Sequence, residues 1–398
     1  MTRAGSVKPV SEPGLSDLVS VGVLTRVFPP ALVDEVIAEA GRTEQRHRTL
    51  PARLMAYFAI GMALFADSSY DEVFSQLTAG LSWTSRWRER FIAPSKSGIF
   101  QARQRLGPEP LEALFRWVAV PVATEEMAES WLAGRRLVAI DGTCLDVADT
   151  PVNAEFFGRP GVNKGEKSAF PQARLVGLAE CGTHAMFDAQ VGAYATSEVA
   201  LAAELVGRLQ PGMLVLADRG FYSYDLWSRA AGTGADLLWR VKTGLRPEPG
   251  RTLPDGSWLA KIRSSLDQGA PPLTVRVIEY AVHDGRDNPE SYRLFTTMTD
   301  PTVVSATDLA AAYAQRWEIE SALDELKTHQ RGARAVLRSK SPELVQQEIW
   351  GHLCCHYAIR SLIGQAASHS GHDPDWVSFL TALRITRQTV AQQGAFSP

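Results

Sequence analysis

Two apolar runs that each end in an aspartate, LVAI at Asp141 and LVLA at Asp218, constrain this chain more than anything else in its 398 residues. Four apolar residues in a row, closed by a charge and turn-forming residues, read as a short strand buried inside an α/β sheet. A carboxylate at the end of such a strand stands at the lip of the sheet, where α/β folds commonly bind their ligands. Side chains alternate along a strand, so Asp141 shares a face with Thr143 and Leu145 while Asp146 points the opposite way. Either aspartate alone would be ordinary, because Asp is a frequent turn-former and helix cap.

The segments around them follow a definite order. RRLVAIDGTCLDV, ARLVGLAEC and HAMFDAQVGAY are three consecutive β-like runs with turn residues between them. A helix is predicted over Ser197 to Gly212, with Ser197 as its N-cap, followed by a strand over Met213 to Asp218. A helix around Tyr224 to Ala231 and a strand over Asp236 to Lys242 come next. Three meandering strands, a helix and a strand form the order that opens a ribonuclease-H-like fold. The expected class is therefore α/β, a mixed sheet flanked by helices, with 131–242 as the first part of the core and 301–370 as its closing helices. Residues 243–300, with the runs TVRVIEYAV and SYRLFTTM among polar turns, read as a β-rich insertion. Residues 16–130 repeat apolar positions at three-to-four spacing and read as an all-helical N-terminal domain behind a flexible 1–15.

Composition excludes several classes of function. Apolar residues make up 45% and charged residues 21%, the balance of a globular chain and not of a disordered one. The longest apolar run, Leu54 to Ala66, falls short of the roughly 20 residues that span a bilayer, so it reads as a buried helix and no membrane partner is expected. The N-terminus lacks the apolar centre of a secretion signal, and the expected location is the cytoplasm. The four cysteines include no CxxC pair and are expected to be reduced thiols. With 41 basic and 44 acidic residues there is no overall positive field, so a nucleic-acid partner has to be argued from local patches.

The helix predicted over Thr307 to Gln330 supplies a third acid. At about 100° per residue, Tyr313, Arg316, Glu320 and Lys327 fall within an arc of about 60°, bordering the apolar stripe of Ile319, Leu323 and Leu326. Glu318 and Glu325 point well away from the polar arc of Tyr313, Arg316, Glu320 and Lys327. Two aspartates at strand ends and one glutamate on a helix make a set of hard oxygen ligands suited to Mg²⁺ or Mn²⁺. Two such ions roughly 4 Å apart activate water and stabilise the leaving oxygen of a phosphodiester. Tyr313 and Arg316 are placed to hold a phosphate, and Lys327 to neutralise the next one along a strand.

The spacing Tyr-x2-Arg-x3-Glu-x6-Lys resembles the signature of DDE transposases of the insertion-sequence-four family. AIDGT at Asp141 and LADRGFYS at Asp218 resemble that family's first and second acidic motifs, in the right order. LPARLMAYFAIGMALF and ARQRLGPEPLEALF look like its helical N-terminal region. The resemblance implies a ribonuclease-H-like core in which Asp141, Asp218 and Glu320 are the catalytic, metal-binding positions for two Mg²⁺ or Mn²⁺ ions. It also implies double-stranded DNA as partner, at the element ends and the target, and a homodimer in the DNA complex. Cleavage at the terminal inverted repeats would run through a hairpin, followed by transfer of the 3′ hydroxyl into target DNA. By the same match Tyr313 and Arg316 would grip phosphates near the cut and Lys327 the transferred strand. An aromatic of the insertion would stack a flipped base, and Trp239 is the candidate, although its place in a buried strand suits the core.

Local charge supports the DNA reading. Lys327, Arg331, Arg334, Arg338 and Lys340 give five basic residues with no acid between 327 and 340, and Arg219, Arg240 and Lys242 add to them. Upstream, Arg86, Arg88, Arg90, Lys96, Arg103 and Arg105 surround a helix predicted to begin near Pro94-Ser95, a second candidate DNA contact. His352 and His356, four apart on a helix, read as core, and Cys181 with His184 lacks a third partner for a metal. Residues 371–398 are expected to form a tail shortened relative to the family. A metal-dependent nuclease that does not join, or an inactive DNA-binding remnant, are the alternatives. An aspartyl phosphatase is set aside because position 139 is Ala.

Overall fold

A mixed sheet organises the molecule, and its order follows from where the apolar runs fall. The computed structural model describes residues 23–46, 48–78, 94–161, 168–282, 290–332 and 336–392. The strands are β1 (Trp131–Leu132), β2 (Arg135–Val147), β3 (Gln172–Glu180), β4 (Met186–Ala193), β5 (Met213–Ala217), β6 (Asp236–Arg240), β7 (Glu248–Thr252), β8 (Trp258–Ile262), β9 (Leu273–Val282), β10 (Glu290–Thr296) and β11 (Val336–Leu337). They pair in the order β4-β3-β2-β5-β6-β10-β9-β8-β7, with β1 and β11 attached to β2. β2, β3 and β4 meander antiparallel, whereas β5 joins β2, and β6 joins β5, in parallel. That is the ribonuclease-H-like arrangement read from the sequence. All five residues of β5 are buried, as a strand covered on both faces requires.

Helices cover both sides. The N-terminal set is α1 (Val23–Val27), α2 (Pro30–Glu39), α3 (Ala52–Leu64), α4 (Tyr70–Thr78), α5 (Lys96–Leu106) and α6 (Glu109–Val118). Within the core lie α7 (Pro151–Phe157), α8 (Glu198–Leu205) and α9 (Tyr224–Ala231), and after the insertion α10 (Ala306–Ala314), α11 (Glu318–Asp324), α12 (Pro342–Ser370) and α13 (Phe379–Gln392). Ser197 caps α8 by accepting from the Ala200 N–H, and Ser305 caps α10 by accepting from Asp308. No helix among the described residues is long and apolar enough to cross a membrane.

Two features of the folded chain lay beyond the sequence reading. The β-rich insertion extends the same sheet, because β10 pairs antiparallel with β6. The N-terminal helices likewise share one apolar core with the sheet, joined through α12. Gly351 of α12 sits so close to α3 that a Cβ there would lie 2.7 Å from the Ala59 carbonyl oxygen. Glycine thus permits an approach that any side chain would block.

The helix predicted over Thr307 to Gln330 is also not uniform. α10 tightens into a 3₁₀ turn at Gln315–Trp317, and α11 widens into a π turn at Glu325–His329. Such turns often mark functional positions in helices. A wheel drawn at one constant angle cannot register either change.

Candidate active site

The parallel pairing of β2 with β5 sets Ile140 opposite Ala217, so Asp141 and Asp218 are the next residues on neighbouring strands. β5 ends there, but β2 runs on to Val147, so Asp141 lies within a strand and not at its end. The 3₁₀ turn and α11 pack against this exposed stretch of β2. They bring Arg316 to the strand edge, where it donates to Asp141 Oδ2 at 3.2 Å and to Glu320 Oε1 at 3.1 Å. Arg316 therefore holds two of the three acids together, and its own guanidinium lies over Trp317. Tyr313 is buried and donates to the Ala217 carbonyl at 3.3 Å, directly before Asp218. Asp218 is half-buried, and Lys327 stands exposed on the π turn.

Burial raises the Asp141 carboxyl to about 6, against the N–H of Gly142 and the charge of Arg316, with Glu320 and Glu198 raising it further. A buried carboxyl with two acidic neighbours and one arginine is short of positive charge, which a divalent cation would supply. The donor chemistry suits Mg²⁺ or Mn²⁺, but the ligand atoms of Asp141, Asp218 and Glu320 do not all lie within 4.8 Å of one another, because Arg316 sits between Asp141 and Glu320. Glu198 was not foreseen from the sequence. It begins α8, accepts from Arg174, and a Cβ on Gly142 would lie 3.0 Å from its carboxylate. Its only sequence signal was an acid directly after the helix cap Ser197.

The remaining predicted contacts divide by burial. Arg219 and Lys242 are exposed, and Arg240 lies 3.8 Å over the ring of Tyr292. Trp239 is not available to a base: it is 2% exposed and packs edge-on against Trp227 at 5.3 Å. The aromatics beside α10 are instead Tyr280 and Tyr292, stacked at 5.3 Å, with Tyr292 edge-on to Tyr313. Arg331 is buried near Glu348 and Asp146, and Arg338 donates to the carbonyls of Ser68 and Met62 at the end of α3. Arg331 is thus inside the fold, and Arg338, its side chain 15% exposed, is turned onto main-chain carbonyls. Arg103, 1% exposed, is likewise turned inward from α5, reaching Tyr70, Gln347, Ser339 and the Leu344 carbonyl. Arg334, Arg86, Arg88 and Arg90 lie outside the described residues.

A second polar cluster occupies the other side of the same helix. Glu325 is buried and accepts from Arg360, with His356 at 3.1 Å. Burial alone would raise its carboxyl, but these partners and His184 hold it well below the carboxylate range. His356 is lowered by complete burial, whereas His184, bonded to both Glu318 and Glu325, is raised to about 9 despite burial. The third partner that His184 lacked in sequence is thus supplied by Glu318 of α11 and by Asp375, 3.4 Å from its Nε2. His352 and His356 are core residues, and all four cysteines are free.

Comparison with known proteins agrees with this arrangement. Residues 18–116 match the insertion element 4 transposase N-terminal family, and residues 132–358 match the transposase DDE domain. The chain is 31% identical over 372 residues to transposase InsG for insertion sequence element IS4 of Escherichia coli strain K12, covering 92% of this chain and 82% of that one. A second protein of that strain, InsZ, is 32% identical over 145 residues, 36% of this chain and 48% of its own length. The solved structure of a piggyBac transposase synaptic complex with hairpin DNA overlaps 94% of this chain at 12% identity and a TM-score of 0.49, too loose a likeness to add weight. An aspartate within β2, a second just past the end of β5, a glutamate bridged to the first by Arg316 and family matches over both halves lead to one conclusion: the chain belongs to the insertion-sequence-four family of DDE transposases.

Proposed function

We propose that Asp141, Asp218 and Glu320 are the acids that cut the ends of a mobile DNA element and serve the joining step that follows. The single observation that supports the reading is the register of β2 and β5, which pairs Ile140 with Ala217, the residues directly before Asp141 and Asp218, while Arg316 bridges Asp141 and Glu320. The three acids would hold two Mg²⁺ or Mn²⁺ ions, which supply an activated water and a stabilised leaving oxygen. Arg316 has a second task. Its guanidinium balances Asp141 and Glu320 in the free chain, and a DNA phosphate offers it an equally good bidentate acceptor. Moving Arg316 onto that phosphate would leave the carboxylates free for cations only when DNA is present. Tyr313, buried against Ala217, fixes the rise of α10 toward the strand ends.

Exposed Lys327, Arg219 and Lys242 are proposed to meet the backbone of double-stranded DNA, as are the half-buried Tyr280 and Tyr292 with Arg240 between insertion and cleft. The hairpin at the element end and the homodimer are carried over from the family resemblance.

The test is cleavage of a duplex carrying the element's terminal repeat. Asp141→Ala, Asp218→Ala and Glu320→Ala are each expected to lose Mg²⁺-dependent cutting while keeping repeat binding in a gel-shift assay. Cutting at the wild-type rate by any of the three would remove that residue from the acid set.

A further inference from the structure

We propose that His184, Glu318 and Asp375 form a second cation site, separate from the three acids and suited to Zn²⁺ or Mn²⁺. Ligand atoms of these three residues lie within 4.8 Å of one another, and theirs is the one such trio of His, Cys, Asp and Glu among the described residues. Three separate elements deliver them. His184 comes from the turn between β3 and β4, Glu318 opens α11, and Asp375 lies in the 3₁₀ turn Pro374–Trp376 after α12. One imidazole and two carboxylates make a mixed nitrogen and oxygen set, which favours Zn²⁺ or Mn²⁺ over Mg²⁺.

The surroundings match those of a metal-binding histidine. His184 adopts a left-handed backbone, φ 57°, uncommon for a non-glycine residue, and this aims its ring at Glu318. Its Nε2 faces Glu318 and Asp375, while its Nδ1 lies 3.5 Å from Glu325 Oε1. A ligating histidine typically gives its other ring N–H to a carboxylate, which orients the ring. Arg360 Nη2 also approaches Nδ1, at 2.5 Å, so uptake of a cation would leave that guanidinium to Glu325 alone. The trio opens onto a cavity of about 730 Å³, leaving room for a water as fourth ligand. Glu320 borders the same cavity, and Glu318 is two residues before it. A cation here would pin the start of α11 to the β3–β4 turn and so position Glu320. It would be a positioning ion that touches no reacting atom.

The site does not depend on the acid-set reading, and its test keeps the two apart. In the full chain, Asp141→Asn, Asp218→Asn and Glu320→Gln together blank the three acids. Zn²⁺ binding to this triple variant is then measured at pH 8 by equilibrium dialysis with elemental analysis. One Zn²⁺ per chain is expected, with affinity falling at least tenfold when His184→Ala or Asp375→Asn is added. Asp375 is partly exposed, so Asp375→Asn should fold, as circular dichroism would verify. Co²⁺ in place of Zn²⁺ should give visible d–d absorption that the same two substitutions remove. No Zn²⁺ retained by the triple variant, or binding that neither substitution weakens, would overturn the proposal.

Discussion

The two sides of the helix over residues 315–329 use the same chemistry for opposite ends. On one side Arg316 binds Glu320 and Asp141, with the Glu320 side chain 44% exposed. On the other, Arg360 binds Glu325 with both side chains under 10% exposed. The contact to Glu320 is open on its carboxylate side, the Arg316 side chain being 6% exposed, and such a half-open contact is more readily exchanged than a fully buried one. A closed one cannot give up a partner without stranding a charge in the interior. Side-chain type is therefore a poor guide to role here, and burial decides it.

The sharpest way to break that contrast is to neutralise one acid on each side. Glu325→Gln leaves Arg360 short of a counter-charge in the interior and is expected to cost about 3–5 kcal/mol in urea unfolding. Glu320→Gln should cost under about 1 kcal/mol in the same measurement. Equal losses from the two would erase the distinction. Gly351→Ala tests the junction that carries Arg360: its methyl would press on the Ala59 carbonyl, and about 1–3 kcal/mol should be lost.

The third prediction concerns pH. Burial, then the charges of Arg331 and Arg338, hold His352 well below its usual 6.5. The unfolded chain therefore binds this proton more readily than the folded one. The stabilising share of a neutral His352 is complete above about pH 6.5 and declines as pH falls below it. His352→Leu should show a shallower loss of Tm between about pH 6.5 and 5 than the wild type. An unchanged slope would mean that His352 charges without penalty. The smallest effect is expected from exposed Lys327: Lys327→Ala should reduce the salt slope of DNA binding by about one, whereas Arg338→Ala should leave the slope unchanged and lower stability.

Much of the sheet was legible because period-two and buried-run patterns survive in β2 to β6 whatever packs on them. Asp141 and Asp218 were readable for that reason, and Glu320 because its spacing from Tyr313 and Arg316 keeps them on one helical side. What sequence could not give was depth. Arg103, Arg331 and Arg338 look like a phosphate path as a string of charges, yet Arg103 and Arg338 end on main-chain carbonyls and Arg331 is buried, tertiary facts without a local signature. Trp239 is core because α9 places Trp227 against it. His184 lacked partners in sequence because Glu318 and Asp375 reach it from distant segments, and Glu198 became visible only once α8 crossed Gly142.

The proposed task of Asp218 is to ligate a catalytic cation together with Asp141. Asp218→Cys tests it most directly, because a thiolate in place of a carboxylate disfavours Mg²⁺ and tolerates the softer Mn²⁺. Terminal-repeat cleavage by this variant should be undetectable with Mg²⁺ and return in part with Mn²⁺. Full activity with Mg²⁺, or equal loss with both ions, would contradict the account.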